Sequence, residues 1–450
     1  MMHHQDTIAA ISTAPVMAAI GVIRISGKNA FSIVQKVFDK NIEKITSRSV
    51  LVGNIKDQEE IIDQVVLCLY RAPNSYTGED VIEISCHGSL YLLRTILQLL
   101  IKKGARQAQN GEFTKRAFIN GKMDLSQAEA VIDLIEAESK KESRLAIQTM
   151  EGSLSKKIQV IRKELIDICS QIMAYIDFPD DEIADISSDS LKYQIQKSLE
   201  QIEKLINTFS QGMLIKSGVK TSICGKPNVG KSCLMNKILG HERSIVTNCA
   251  GTTRDIVTET VVFGGVKMIL ADTAGIRDTD NEVELLGVQR AKAYIEESNL
   301  IFFVMDNATG FNKEDYKILN TLQQVQAVKI AVLNKCDMGI DAITTDLSMF
   351  DTVVKISAKD GTGISSLEKA VRDSFIYLDN NEEVIMNLRQ YECLQRGKKF
   401  LLHALQNIEL TPDAIIVDVE ESISALGEII GKTVSTEIID NIFSRFCVGK

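Results

Sequence analysis

Apolar positions change period in blocks along this chain. Up to about Ala117, the runs Ile20 to Ser26, Val65 to Tyr70 and Val81 to Cys86 alternate or stay apolar as strands do. Between them Phe31, Val34, Val37 and Phe38, and then Leu92, Leu93, Ile96, Leu99 and Leu100, recur at helical spacing. Two helices interleaved with several strands predict a compact layered unit. From Leu125 to about Phe209 the period is helical throughout. Ala128, Val131, Ile132 and Ile135 form one stripe, Ile158, Ile161, Leu165 and Ile168 a second, and Leu191, Ile195, Leu199, Ile202 and Leu205 a third. Between the second and third lies Asp177-Phe178-Pro179-Asp180-Asp181-Glu182, where Pro179 stops a helix. That segment reads as a solvated acidic turn, with a metal site as the other reading.

From Val219 onward short apolar runs (Val219 to Cys224, Met268 to Ala271, Ile330 to Leu333) each lead into a polar motif. Strands and helices in that alternation predict a doubly wound sheet with ligand at the carboxyl ends of the strands. The chain then turns helical again. Leu394, Leu401, Leu405 and Ile408 form one stripe, Ile415, Val419, Ile423, Leu426 and Ile430 the next, and Ile438, Ile439, Ile442, Phe443 and Phe446 the last. Three such helices do not easily make a core alone, so they are expected to pack on the earlier helical block. The expected fold is α/β and multidomain: an N-terminal α+β domain (1–119), a discontinuous all-α domain (120–215 and 379–450), and a doubly wound P-loop domain (216–378) inserted in it.

The inserted block carries the chemistry. Gly225-Lys226-Pro227-Asn228-Val229-Gly230-Lys231-Ser232 sits between a strand and a helix start, where backbone NH groups and a helix N-terminus converge on a phosphate. Lys231 reaches the terminal phosphates and the Ser232 hydroxyl is placed for Mg2+. Downstream, Asp272-Thr273-Ala274-Gly275 ends a strand, so that Asp272 faces the metal and the Gly275 amide the γ-phosphate. Asn334-Lys335-Cys336-Asp337 follows another strand, its Asp accepting from the N1 and N2 groups that guanine has and adenine lacks. Ser357-Ala358-Lys359 supplies a backbone contact to the guanine oxygen. Four motifs in this order imply GTP binding.

Composition narrows the setting. Hydrophobic residues at 45% and charged residues at 25% match an ordinary globular protein, and the net charge of −9 leaves nucleic-acid contact to local patches. Lys102, Lys103 and Arg106, Lys115 and Arg116, and Arg396, Lys398 and Lys399 are candidate nucleic-acid contacts or solvated helix faces. No run is long enough to span a bilayer, and Met1 to Ile11 lacks the apolar core of a signal peptide. Nine scattered cysteines without a CxxC pair indicate neither a disulfide framework nor zinc, so a reducing, cytoplasmic setting is expected.

The segment Asn74-Ser75-Tyr76-Thr77-Gly78-Glu79-Asp80-Val81, the ending Phe446-Cys447-Val448-Gly449-Lys450 and the nucleotide motifs together resemble the MnmE (TrmE) family of tRNA modification GTPases, over essentially the whole chain. The resemblance implies an N-terminal domain that forms a homodimer and binds a tetrahydrofolate derivative, in its 5,10-methylene or 5-formyl form. By matching position, Arg24, Glu83, Lys122 and Lys450 are the implied folate contacts. It also implies a heterotetramer with the flavoprotein MnmG, which brings FAD. Together they would add an aminomethyl or carboxymethylaminomethyl group to C5 of the wobble uridine of certain tRNAs. One segment departs from the family's glycine-rich turn. It reads Thr13-Ala14-Pro15-Val16-Met17-Ala18-Ala19-Ile20-Gly21, a more restricted backbone that leaves the shape of that part of the folate pocket open.

For hydrolysis, the glutamine that small GTPases place after the DxxG glycine is replaced by Ile276, and no arginine finger is assignable; Arg254 and Arg277 read as switch salt bridges. The resemblance supplies K+ instead, held by Asn228 with oxygens of Thr247, Cys249 and Thr252, and it gives Thr253 to the Mg2+ shell beside Ser232. It extends the nucleotide contacts across Asn228-Val229-Gly230-Lys231-Ser232-Cys233 and Thr247-Asn248-Cys249-Ala250-Gly251-Thr252-Thr253. Glu284 matches the family's catalytic glutamate, whereas by itself it reads, with Glu282, as a helix-start acid. Cys447 reads either as a cysteine closing a helix or, by resemblance, as a participant in the uridine chemistry through attack at C6; a nucleophilic role needs a cationic neighbour. The competing class is a GTP-dependent RNA-binding or ribosome-assembly switch. Those carry a KH domain or a second GTPase unit, and neither is visible.

Overall fold

The structure, a computed structural model, describes residues 6–177, 188–241, 258–271, 293–340, 342–343, 346–376, 385–408 and 412–450. They fall into two compact units: Met1–Ile132, Gln148–Leu199 and Cys393–Lys450 form one, and Asp133–Ile147 with Glu200–Glu392 the other.

The first unit opens with a six-stranded sheet in the order β3-β4-β5-β2-β1-β6. Its strands are β1 (Ile8–Ile11), β2 (Ile20–Ser26), β3 (Ser49–Asp57), β4 (Glu60–Tyr70), β5 (Val81–His87) and β6 (Arg106–Gln107). All neighbours are antiparallel except β1 and β6. Alternation sorts the faces. Ile23, Ile25, Val65, Leu67, Ile82 and Ile84 bury one side against helices α1 (Ala30–Gln35) and α2 (Leu90–Lys102). Arg24 and Glu83, one residue out of phase with them, therefore belong to the opposite face. A further helix, α3 (Glu112–Ile119), places Phe113 against Ile8 and Ala10.

Helical segments complete this unit. In the helix Ser153–Asp177 the expected stripe Ile158, Ile161, Leu165 and Ile168 is buried, and it packs on the helix Pro412–Ile429, where Val419 and Leu426 are buried. The Arg162 Nε also donates to the Ile423 carbonyl at 3.1 Å. The helical blocks on either side of the inserted domain thus share a core. Helix α4 (Leu125–Glu136) departs from the expected stripe at its end: Ile135 is 52% exposed.

The second unit holds a six-stranded sheet ordered β12-β11-β10-β7-β9-β8. These are β7 (Val219–Cys224), β8 (Thr258–Phe263), β9 (Val266–Ala271), β10 (Leu300–Asp306), β11 (Val328–Asn334) and β12 (Thr352–Lys355). All pairs run parallel except β8 with β9. Every residue of β10 is buried. Leu300, Phe302 and Val304 enter the core on one face, and Ile301, Phe303 and Met305 the core on the other. A central parallel strand covered on both sides reads as an unbroken apolar run, and this is the doubly wound arrangement that the alternation predicts. The acidic segment around Pro179 lies outside the described residues. Among the described residues no helix is long and apolar enough to cross a membrane.

Candidate functional sites

At the carboxyl end of β7 the chain turns through Gly225, whose φ of +146° and position allow no side chain: a Cβ would lie 2.2 Å from the Val304 carbonyl oxygen of β10. Asn228 takes the left-handed conformation (φ +63°) and is exposed. Gly230 (φ +99°) brings the loop so close to β11 that a Cβ would stand 2.2 Å from Asn334 Nδ2. The helix Lys231–His241 then begins, leaving Ser232 and Cys233 exposed in its first turn. The Lys231 ammonium donates to the carbonyls of Gly225 (2.8 Å) and Lys226 (2.9 Å), and burial pushes its pKa below the ordinary lysine value, with Cys224 acting weakly the other way.

Asn334 ties the motifs together. Its Nδ2 donates to the Val229 carbonyl (2.7 Å), and its Oδ1 accepts from the Ala358 amide (2.9 Å), with the residue 3% exposed. One buried amide therefore fixes the phosphate loop and the Ser357-Ala358-Lys359 loop relative to β11. Cys233 adds a thiol contact to the Ala358 carbonyl (3.2 Å). Lys335 is left-handed (φ +67°) and pairs with Asp306 at the end of β10 (2.7 Å). Burial works against that carboxylate, but Lys335 and the Ala308 amide together hold it below the usual range. Asp337 is exposed on the turn Cys336–Met338 and Lys359 is exposed, whereas Ser357 is buried. Asn228 to Cys233, Asn334, Lys335, Asp337 and Ser357 to Lys359 thus gather at one edge of the sheet, beyond the carboxyl ends of β7, β11 and the β12 connection. Thr247 to Thr253, Asp272 to Gly275, Arg254, Ile276, Arg277, Glu282 and Glu284 lie outside the described residues.

Motif spacing does not reveal the support behind the loop. Lys226 turns inward to pair with Asp315 (3.0 Å) and donate to the Gly310 carbonyl (3.1 Å). Asp315 closes a capping box with Asn312 at the start of the helix Lys313–Leu322. That box is legible as Asn-x-x-Asp; its reach to Lys226 is not.

In the N-terminal sheet, register sets Arg24 of β2 beside Glu83 of β5. The Arg24 Nε and Nη2 both donate to Glu83 Oε1 (2.9 and 2.7 Å), and Nη1 donates to the Gly449 carbonyl (3.4 Å). The guanidinium carbon lies 5.2 Å from the Tyr76 ring centre and 5.6 Å from that of Phe113, within cation–π range. Lys450 is half-buried there. Burial and then the Arg24 charge push its ammonium pKa down, while Glu83 pushes it up. Arg24, Glu83 and Lys450 are brought together. Lys122 is anchored elsewhere, donating to the Pro73 carbonyl (3.0 Å).

Two expectations change. Cys447 is not on a helix: the helix ends at Ser444, and Cys447 is exposed in an extended segment whose next residue, Val448, bridges Asn110. Arg116 is not a solvated basic residue, being 2% exposed and bonded to Asp6, Glu79 and Glu112. Of the other candidate nucleic-acid contacts, Arg106 pairs with Asp6 and Glu112, Lys115 with Asp440, and Arg396 with Glu428. The glycine-poor turn leaves Val16 and Met17 exposed. Its close approach is carried by the facing strand end instead, where the Gly88 amide donates to the Ala19 carbonyl (3.2 Å) and a Cβ on Gly88 would lie 2.3 Å from the Ala18 oxygen.

Comparison with known proteins accords with these features. Residues 7–122 match the family described as GTP-binding protein TrmE N-terminus, and residues 125–447 match the MnmE helical domain. The tRNA modification GTPase MnmE of Clostridioides difficile is 41% identical over 462 residues, covering 100% of both chains. Its counterpart in Cytophaga hutchinsonii is 39% identical over 453 residues, covering 100% of this chain and 98% of that one. Among solved structures, Era of Aquifex aeolicus bound to GDP and aluminium fluoride is 27% identical over 41% of this chain and 67% of its own, at a TM-score of 0.28. With both parts of the chain matched and full-length identity near two-fifths, this chain belongs to the MnmE family of tRNA modification GTPases.

Proposed function

We propose that this chain, a GTPase of the tRNA modification family, hydrolyses GTP with Mg2+ and K+ at the β7–β11 edge. We further propose that it works with the flavoprotein MnmG, which carries FAD, to add an aminomethyl or carboxymethylaminomethyl group to C5 of the wobble uridine. The observation that carries the nucleotide part is the Asn334 clamp, which joins phosphate loop and base-contact loop into one preformed cradle. The exposed Ser232 at the first turn of the helix Lys231–His241 suits a Mg2+ ligand, and Thr253 completes that shell. Asn228, exposed in its left-handed turn, suits an oxygen ligand to K+ with Thr247, Cys249 and Thr252. Lys231 neutralises the terminal phosphates. Asp337 and the Ser357-Ala358-Lys359 loop select guanine, and Glu284 orients the attacking water. The monovalent cation supplies positive charge where an arginine finger would stand.

In the N-terminal domain, Arg24, Glu83 and Lys450 offer two cations and a carboxylate on a partly open face, a donor set suited to the pterin and glutamate groups of a tetrahydrofolate derivative. Lys122 joins them only if the ligand reaches the Pro73 loop. The folate supplies the one-carbon unit when bound. We place the protein as a cytoplasmic homodimer whose GTPase domains meet across the dimer when GTP and K+ are present.

Nucleoside analysis of tRNA from cells with and without this protein tests the reading, and unchanged wobble uridine in both would sink it. Exchanging K+ for Na+ should slow GTP hydrolysis sharply. Asn228→Ala should lose that K+ dependence, lowering the K+-stimulated rate by about 10³-fold, the scale of an arginine finger, while nucleotide still binds. Equal rates in both salts would remove the cation from the mechanism.

A further inference from the structure

Beyond the helix Thr436–Ser444 the chain runs back along the N-terminal sheet. Asn110 bridges Val448, the Gly111 amide donates to the Cys447 carbonyl (3.4 Å) and the Phe113 amide to the Lys450 carbonyl (3.3 Å). Gly449, between them, is buried with φ +99°. A Cβ there would lie 2.4 Å from the Ile11 carbonyl oxygen and 2.8 Å from Ser12 Cα. Both obstacles are backbone atoms of β1 and its continuation, so neither can swing aside, and an L-residue is strained at that φ in any case. The close approach has a use. The Gly449 carbonyl accepts from Ser12 Oγ (3.2 Å) and from Arg24 Nη1 (3.4 Å).

Arg24 is therefore held from two directions. Glu83 fixes the Nε–Nη2 edge of its guanidinium, and Gly449 engages the remaining arm. A planar fork bound on two edges presents its remaining N–H groups in one orientation.

We propose that Gly449 is a positioning residue: by lying flush against Ile11 and Ser12 it carries its carbonyl to Arg24 and holds the guanidinium on the side that Glu83 leaves open. The nature of the ligand rests on the folate reading above; the seating of the segment does not.

The experiment compares Gly449→Ala with Gly104→Ala in the full chain. Gly104 is a matched control, with φ +119° and only the Ile33 Cδ1 within 4.0 Å of a Cβ, so it carries backbone strain without the collision. Two quantities are read: amide exchange in peptides containing Gly111 and Phe113, and the Kd for 5-formyltetrahydrofolate. Gly449→Ala should speed exchange at both amides and weaken folate binding by about tenfold or more, the scale of one hydrogen bond to a charged donor. Gly104→Ala should do neither. Because the effect runs through Arg24, adding Gly449→Ala to Arg24→Ala should weaken binding by less than about threefold further. Wild-type exchange and affinity in Gly449→Ala, equal losses in both glycine variants, or multiplying losses in the double variant would overturn the proposal. Wild-type protein that takes up no folate would instead sink the folate reading, and the exchange measurement alone then decides the seating.

Discussion

Asn334→Ala should weaken guanine-nucleotide binding by about a hundredfold or more. The side chain is buried and makes both of its bonds to backbone, donating to Val229 and accepting from Ala358. Truncation orphans a buried carbonyl and a buried amide at roughly 1–3 kcal/mol each, and the loops they belong to carry the phosphate and base contacts. The loss falls on the assembled cradle, because both bonds that tie the two loops to β11 through this side chain go at once, leaving the weaker Cys233 thiol contact to Ala358. Asn334→Asp is a sharper probe. It keeps an acceptor for Ala358 but turns a carboxylate oxygen onto the Val229 carbonyl, so it should bind no better than alanine. Titration with a fluorescent guanine nucleotide checks both, and an Asn334→Ala protein within threefold of wild type would show that the loops hold their positions unaided.

Arg116→Met should destabilise the N-terminal sheet by about 3–5 kcal/mol, the cost of stripping an ion network of its buried cation. The guanidinium bonds the Asp6 side chain (2.7 Å), the Glu79 carboxylate (3.1 and 3.2 Å) and Glu112 (3.0 Å). Without it Asp6 and Glu112 are left to the more exposed Arg106, and Glu79 to the Ser26 hydroxyl, with Glu112 itself buried. The defect should depend on pH. Burial tends to raise the Glu112 and Asp6 carboxyls, yet their arginine partners hold both below the ordinary 4.5 and 3.8. Depressed carboxyls contribute stability that is present above those ordinary values and is lost as pH falls through the folded ones. The gap between wild type and Arg116→Met should therefore be widest above pH 4.5 and narrow below it. Amide exchange in β1 and β2 follows this unit separately, which whole-chain melting of a multidomain protein does not.

Much of this architecture is legible in the sequence where side chains repeat with a period. Val219–Cys224 and Ile20–Ser26 are read to the residue, and the stripe at Ile158 to Ile168 is buried as its spacing predicts. The misses share a cause. Helix α3 escapes notice because Glu112 and Arg116 are buried by pairing, so its inward face looks polar. Strand β3 exposes Val50 and Val52 at the sheet edge, and an apolar run that faces solvent gives no alternation to read. Among the sites, local motifs mark the turn between β7 and the following helix, whereas contacts set by long-range register are invisible. Neither the Lys226–Asp315 brace nor the return of Gly449 to Arg24 leaves a mark in the order of residues.

The first unit draws its helical core from both sides of the inserted domain, with Arg162 bonded to Ile423. On the ribosome, the residues after Cys393 emerge only once the intervening domain has been made. Until then the stripe from Ile158 to Ile168 lacks the helix Pro412–Ile429 on which it packs, and the nascent protein carries that part of its greasy ridge uncovered throughout the synthesis of its nucleotide engine.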